Sequence, residues 1–130
     1  MKKLDNFSKS LNALKSADFE LVNENEIYRM GVIGQFNLTF ELAWKVLQAV
    51  LEEHGRLMDR IGSLRMVIKT AYQCGMISDC EGWLELLETR NILAHTYNDE
   101  QVLNAIRDVK AIHLSLFQDL KREIDEKWME

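Results

Sequence analysis

The chain has 130 residues, enough for one hydrophobic core, and 47% of them are hydrophobic. It contains no proline and only six glycines, which argues for helices over a turn-rich β fold. A net charge of −5 argues against a general polyanion-binding surface, although one segment is basic. Residues 55–75 hold a single acidic residue and four basic ones, Arg56, Arg60, Arg65 and Lys69. That segment is either a solvated helix face or a place that holds a phosphate.

The spacing of apolar residues predicts helices along nearly the whole chain. A first helix carries a stripe made of Leu4, Phe7, Leu11 and Leu14. A long second helix ends at Gly55, a helix-terminating residue. It is predicted to bury Ile27, Met30, Ile33, Phe36, Phe40, Ala43, Trp44, Leu47, Val50 and Leu51. Gly31 and Gly34 within it would permit close helix contact, inside the chain or across a dimer.

Three more helices are predicted from capping signals. The third follows Ser63 and ends at Gly75, and the fourth follows Asp79. The last begins at Asn98, which forms a capping pattern with Gln101. Their predicted core residues are Leu64, Val67, Ile68 and Ala71, then Trp83, Leu84, Leu86 and Leu87, then Val102, Ile106, Val109, Ile112, Leu116, Leu120 and Ile124. Because the links are short, we expect an all-α, antiparallel up-and-down bundle of four to five helices forming one domain over residues 1–130.

Several functional classes find no support in the sequence. The first twenty residues lack the apolar run of a signal peptide, and no stretch of 18 apolar residues exists, so a cytoplasmic protein without a membrane partner is expected. Cys74 and Cys80 lack a zinc-ligand spacing and are expected to be reduced and structural. No phosphate-binding loop or dinucleotide motif is present, and the expected cofactor and metal content is none.

The stretch ETRNILAHTYNDE, residues 88–100, is unusually polar for a helix of this chain. It places Arg90, Asn91, His95 and Tyr97 within eight positions. Arg90 and His95 are five residues apart, so an ideal helix separates them by about 140° around its axis. Asn91 and His95 share a face, which makes Asn91 a candidate for orienting the His95 ring. For Arg90 and His95 to meet, the helix must loosen near Ala94 or a second subunit must complete the set.

An arginine and a histidine together suit the cleavage of RNA. A guanidinium stays charged and binds phosphate in a bidentate manner, and a histidine transfers protons near neutral pH. RNA supplies its own nucleophile, the 2′-hydroxyl, so that no metal is needed. The alternative is that these residues are only a polar helix end. His54, beside a helix-ending glycine, and His113, within the last helix, have no such companions.

Three motifs in order resemble a known family. ETRNILAHTYNDE resembles the R-N-x-x-x-H signature of HEPN-domain proteins, in the subgroup where H-T-Y follows. FNLTFELAWKVLQAVLEEHG (36–55) and GMISDCEGWLELLETRN (75–91) resemble the subgroup of nucleotidyltransferase substrate-binding proteins. The resemblance covers most of residues 30–105.

The resemblance implies a helical bundle that forms a homodimer and a cognate partner, a minimal nucleotidyltransferase (MNT). It implies the toxin of a HEPN–MNT toxin–antitoxin pair, a metal-independent ribonuclease acting on RNA. Arg90 would stabilise the phosphate, His95 would transfer the proton, Asn91 would position them, and Tyr97 would be the residue that the partner modifies with AMP. Two alternatives remain: a non-catalytic substrate-binding subunit of a nucleotidyltransferase complex, and a helical oligomerisation protein.

Overall fold

The computed structural model describes residues 2–56, 63–95 and 98–128, which form an all-α bundle, as predicted. Four helices come first: α1 (Lys2–Lys15), α2 (Glu26–Glu53), α3 (Leu64–Gln73) and α4 (Cys80–His95), with a 3₁₀ turn at Leu21–Asn23. The fifth helix of the bundle runs without a break through α5 (Asp99–Asp108), a π-helical turn (Val109–His113), α6 (Leu114–Glu123) and a second π-helical turn (Ile124–Trp128). None of the helices described there is both long and apolar enough to cross a membrane.

Side-chain caps fix where the helices begin. The Ser63 hydroxyl accepts from the Met66 amide at 3.1 Å, and the Asn98 side chain accepts from the Gln101 amide at 3.0 Å. The carboxylate of Asp79 accepts a hydrogen bond at the start of α4 in the same way, at 2.8 Å. Each bond satisfies an amide that the first turn of a helix leaves without an intrahelical partner. These three predicted caps are confirmed.

Glycines end α2 and α3. Gly55 and Gly75 have φ angles of +68° and +82°, a left-handed conformation that strains any residue with a Cβ atom. Beyond Gly55 the Arg56 amide donates to the Leu51 carbonyl at 2.8 Å, which closes the last turn of α2. Both glycines act as predicted from their positions.

Phe117 of α6 lies where four helices meet. Its ring contacts Phe7 of α1 and Trp83 of α4 edge-on, with ring centroids 5.9 Å apart in each pair. Phe36 of α2 lies 6.2 Å away in a tilted arrangement. All four aromatic side chains are buried, so this cluster fixes the helices to one another through apolar burial and ring geometry.

Three predicted core residues lie on the surface instead. Ile27 and Met30 are 85% and 59% exposed, because the first half of α2 is apolar on two sides and only the side with Phe36 packs inward. Ile112 is 46% exposed. Around an ideal helix His113 lies only about 20° from the buried Val102, whereas Ile112 lies about 80° from it, so the histidine occupies the buried side and Ile112 its edge.

Candidate functional site

Arg90 is held against the neighbouring helix by an aromatic ring. Its guanidinium carbon lies 5.7 Å from the ring centroid of Phe40, a fully buried residue of α2. A cation over an aromatic face at this distance is attracted by the ring's quadrupole. The Arg90 side chain is half-buried, and over the described ranges no carboxylate lies within 4 Å of it. Its charge is therefore positioned but not neutralised, as a binding site for an anion requires.

Asn91 contacts Arg90 in this structure. Its side-chain oxygen accepts a hydrogen bond from Nη1 of Arg90 at 3.2 Å. No hydrogen bond joins Asn91 to His95 among residues 2–56, 63–95 and 98–128. Orientation of the His95 ring by Asn91 stays a prediction, while the observed bond gives the guanidinium a second contact beside Phe40.

His95 is the last residue of α4, and its side chain is exposed. The helix is regular up to His95, so it does not loosen near Ala94. Arg90 and His95 therefore remain about 140° apart around the axis, and one chain does not bring them together. Tyr97, the predicted modification site, lies outside the described residues.

The exposed end of α4 lies beside the first half of α2. Arg90 lies over Phe40, and Arg29 forms an ion pair of 3.8 Å with Asp99, the first residue of α5, so the chain runs from α4 into α5 antiparallel to α2. The outward side of α2 in this half is apolar or small. It consists of Ile27, Met30, Gly31, Gly34 and Leu38, which we call the α2 face. A Cβ atom added at either glycine would meet nothing within 4 Å.

Sequence reasoning missed three polar residues near this site. The side-chain oxygen of Asn37 is buried without a hydrogen-bond partner in the part of the chain that the structure describes. Asn37 precedes Phe40 by three positions, so it lies on the same side of α2. Thr89 and His113 are both buried and joined by a hydrogen bond, although His113 was predicted to have no companions. The available signals in the sequence were Asn37 within the apolar run FNLTF and Thr89 directly before Arg90.

The predicted basic segment is a surface feature. Arg56, Arg65 and Lys69 are exposed, and Arg60 lies outside the described residues. Within the described ranges no group of three or more His, Cys, Asp or Glu side chains is arranged to hold a metal ion. Within the motif itself, Arg90 is the basic side chain that could bind an anion.

A family model described as nucleotidyltransferase substrate binding protein like matches residues 2–126. The chain belongs to this family. The resemblance inferred from the three motifs is confirmed at this level, and the match extends over nearly the whole chain.

One curated protein and one solved structure are also similar to this chain. A Haemophilus influenzae protein named probable ribonuclease HepT is 29% identical over 75 residues, which are 56% of this chain and 51% of that protein. The aligned part of the chain thus spans about half the length of this relative. A solved structure from the same organism, described as the fold of a substrate binding domain of a nucleotidyltransferase, is similar with a TM-score of 0.81 and 20% identity. The similarity covers 95% of this chain and 99% of that one, and it establishes the shared fold.

From the burial of His113 we expect the stability of this family member to depend on pH. Burial lowers its pKa from the usual value of 6.5, and the nearby Asp108 carboxylate raises it by a smaller amount. Because the folded state disfavours the charged ring, stability is full above the unfolded pKa and falls as the pH decreases from about 7 towards 5. We expect the Tm of the wild type to fall by a few degrees more over this range than that of His113→Gln, measured by circular dichroism. Equal pH dependence in the two proteins would contradict a neutral buried His113.

Proposed function

We propose that the chain is a metal-independent ribonuclease that acts as the toxin of a HEPN–MNT toxin–antitoxin pair. The observation that carries the proposal is the guanidinium of Arg90, fixed over Phe40 and free of carboxylates within the described residues, on the helix that ends at the exposed His95. The name of the Haemophilus influenzae relative, probable ribonuclease HepT, supports the same class of activity.

In the proposed reaction the ribose of RNA supplies the nucleophile. The 2′ oxygen forms a bond to phosphorus, and the bond from phosphorus to the 5′ oxygen of the next nucleotide breaks. His95 accepts the proton of the 2′-hydroxyl and then donates it to the departing 5′ oxygen, so that no proton is gained or lost. Arg90 stabilises the charge that develops on the phosphate. The products are a 2′,3′-cyclic phosphate and a 5′-hydroxyl end.

A homodimer completes the site in this proposal. Since α4 stays regular through His95, Arg90 of one chain meets His95 of a second copy. The α2 face supports this arrangement because it is exposed, apolar and small at its centre. Two-fold packing of identical surfaces is the commonest form of homodimer.

Control of the ribonuclease is assigned to a nucleotidyltransferase partner. The family description supports a partner of this class. Transfer of AMP to Tyr97, two residues after His95, would add negative charge at the end of α4 and repel RNA. The same description favours a second candidate, in which the chain only presents a substrate to the nucleotidyltransferase and cleaves nothing.

One experiment separates the two candidates. Purified protein is incubated with RNA in excess EDTA, after mass spectrometry has established that Tyr97 is unmodified. We expect cleavage with cyclic-phosphate and 5′-hydroxyl ends, because neither the arginine nor the histidine requires a metal. A 2′-deoxy substitution at the cleaved position should abolish the reaction, since it removes the nucleophile. Failure of the unmodified protein to cleave RNA would favour the substrate-binding subunit.

A further inference from the structure

A buried polar pair joins α4 to the C-terminal helix. Thr89 is 6% exposed and His113 is 2% exposed, and Oγ1 of Thr89 lies 2.9 Å from Nε2 of His113. The two residues are 24 positions apart in the chain, so the bond connects elements that the sequence does not connect directly. Removing one partner of such a bond leaves the other buried without its hydrogen bond, which lowers the free energy of unfolding.

His113 lies in a π-helical turn, on the buried side of the C-terminal helix. In the described residues, Nδ1 of His113 is buried and has no hydrogen-bond partner, so the core contains a polar atom that an aliphatic side chain would have avoided. π-helical turns are rare and occur frequently at functional sites. Packing alone therefore does not account for a histidine here, whereas the bond to Thr89 does.

Thr89 directly precedes Arg90. Consecutive residues of an α-helix point about 100° apart, so α4 is held at two places on its circumference. Thr89 is bound to His113 of the C-terminal helix, and Arg90 lies over Phe40 of α2. A rotation of α4 about its own axis would break the first contact and move the guanidinium off the ring.

We propose that Thr89 and His113 are the positioning pair of the ribonuclease site, which fixes the rotation of α4 and thereby holds the Arg90 guanidinium over Phe40. The inference rests on the proposed function for its catalytic consequence. Neither residue touches the RNA. The pair acts through Arg90.

The test uses variants that change the bond and little else. Thr89→Val keeps the shape of the side chain and removes the hydroxyl. We expect kcat to fall about tenfold with KM within about twofold, since a small misplacement of a charge-stabilising group affects mainly the transition state. His113→Gln carries a polar atom at the position of Nε2 and should retain most of kcat, whereas His113→Leu should behave like Thr89→Val.

A matched control comes from a second buried pair. Ser10 and Thr39 join α1 to α2 through hydroxyls 2.7 Å apart, and Ser10→Ala removes that contact without touching α4. We expect Ser10→Ala to lower Tm comparably and to leave kcat unchanged. If it lowers kcat as much as Thr89→Val does, the effect is general destabilisation and the positioning proposal is wrong.

An NMR measurement that does not depend on RNA cleavage tests the positioning pair separately from the proposed ribonuclease function. The ring of Phe40 should shift the NMR resonances of the Arg90 side chain, which are assigned by their loss in Arg90→Ala. In Thr89→Val we expect this ring-current shift to shrink, and in Ser10→Ala we expect it to stay. An unchanged shift in Thr89→Val overturns the positioning pair. In a protein that cleaves no RNA, the proposed function fails, and this shift still decides whether the pair positions Arg90.

Discussion

Arg90→Ala and His95→Ala should each lower the rate of RNA cleavage in EDTA by about a hundredfold or more while leaving the bundle folded. Arg90 supplies the only guanidinium that the described part of the structure places over an aromatic ring, and His95 is exposed at the end of the same helix. Losing the charge should reduce stabilisation of the phosphate, and losing the imidazole should remove proton transfer. Circular dichroism checks the fold, and Arg107→Ala, an exposed arginine on α5, is the matched control with unchanged activity.

Mixing the two inactive proteins tests whether the site is shared between chains. After unfolding and refolding together, half of the dimers are expected to contain one chain of each variant, and each of these holds one complete site. The mixture should recover about a quarter of the wild-type rate, as two-fold symmetry requires. If the two residues act within one chain, no mixture recovers activity. Single variants that cleave as fast as the wild type would contradict the assignment of Arg90 and His95 altogether.

The fold was largely predictable because its signals are local. Ser63, Asp79 and Asn98 act as caps within three residues of their own positions, and Gly55 and Gly75 end helices through their own backbone angles. Such features depend on short-range sterics and hydrogen bonds that a sequence displays directly.

Contacts between distant residues were not predictable in the same way. Phe40 and Arg90 are fifty positions apart, and nothing in either motif indicates that a ring of α2 supports the guanidinium of α4. Ile112 was expected in the core because it is apolar, whereas the buried position belongs to the polar His113, whose partner Thr89 is 24 positions away in the chain. The motif therefore predicted the candidate site, whereas the contacts that support it are seen only in the packed structure.

Gly34→Lys should convert the proposed homodimer to a monomer and abolish cleavage. The α2 face is open at this position, since a Cβ atom there would meet nothing within 4 Å, so the substitution should not disturb the chain's own packing. Replacing a helix-interior glycine should even stabilise α2, by up to about 1 kcal/mol. A second copy packed closely on the α2 face would instead collide with the lysine side chain and bury its charge at a cost.

The measurements are the mass in solution by light scattering, the Tm and the rate of RNA cleavage. Added positive charge attracts RNA, so a loss of cleavage cannot be attributed to repulsion of the substrate. Gly34→Ala is the control, because a methyl group preserves most of the close approach and should preserve the dimer. A Gly34→Lys protein that stays dimeric would remove the α2 face from the interface. A monomer with full activity would contradict the shared site itself. Arg90 and His95 would then have to meet within one chain, which the regular course of α4 up to His95 opposes.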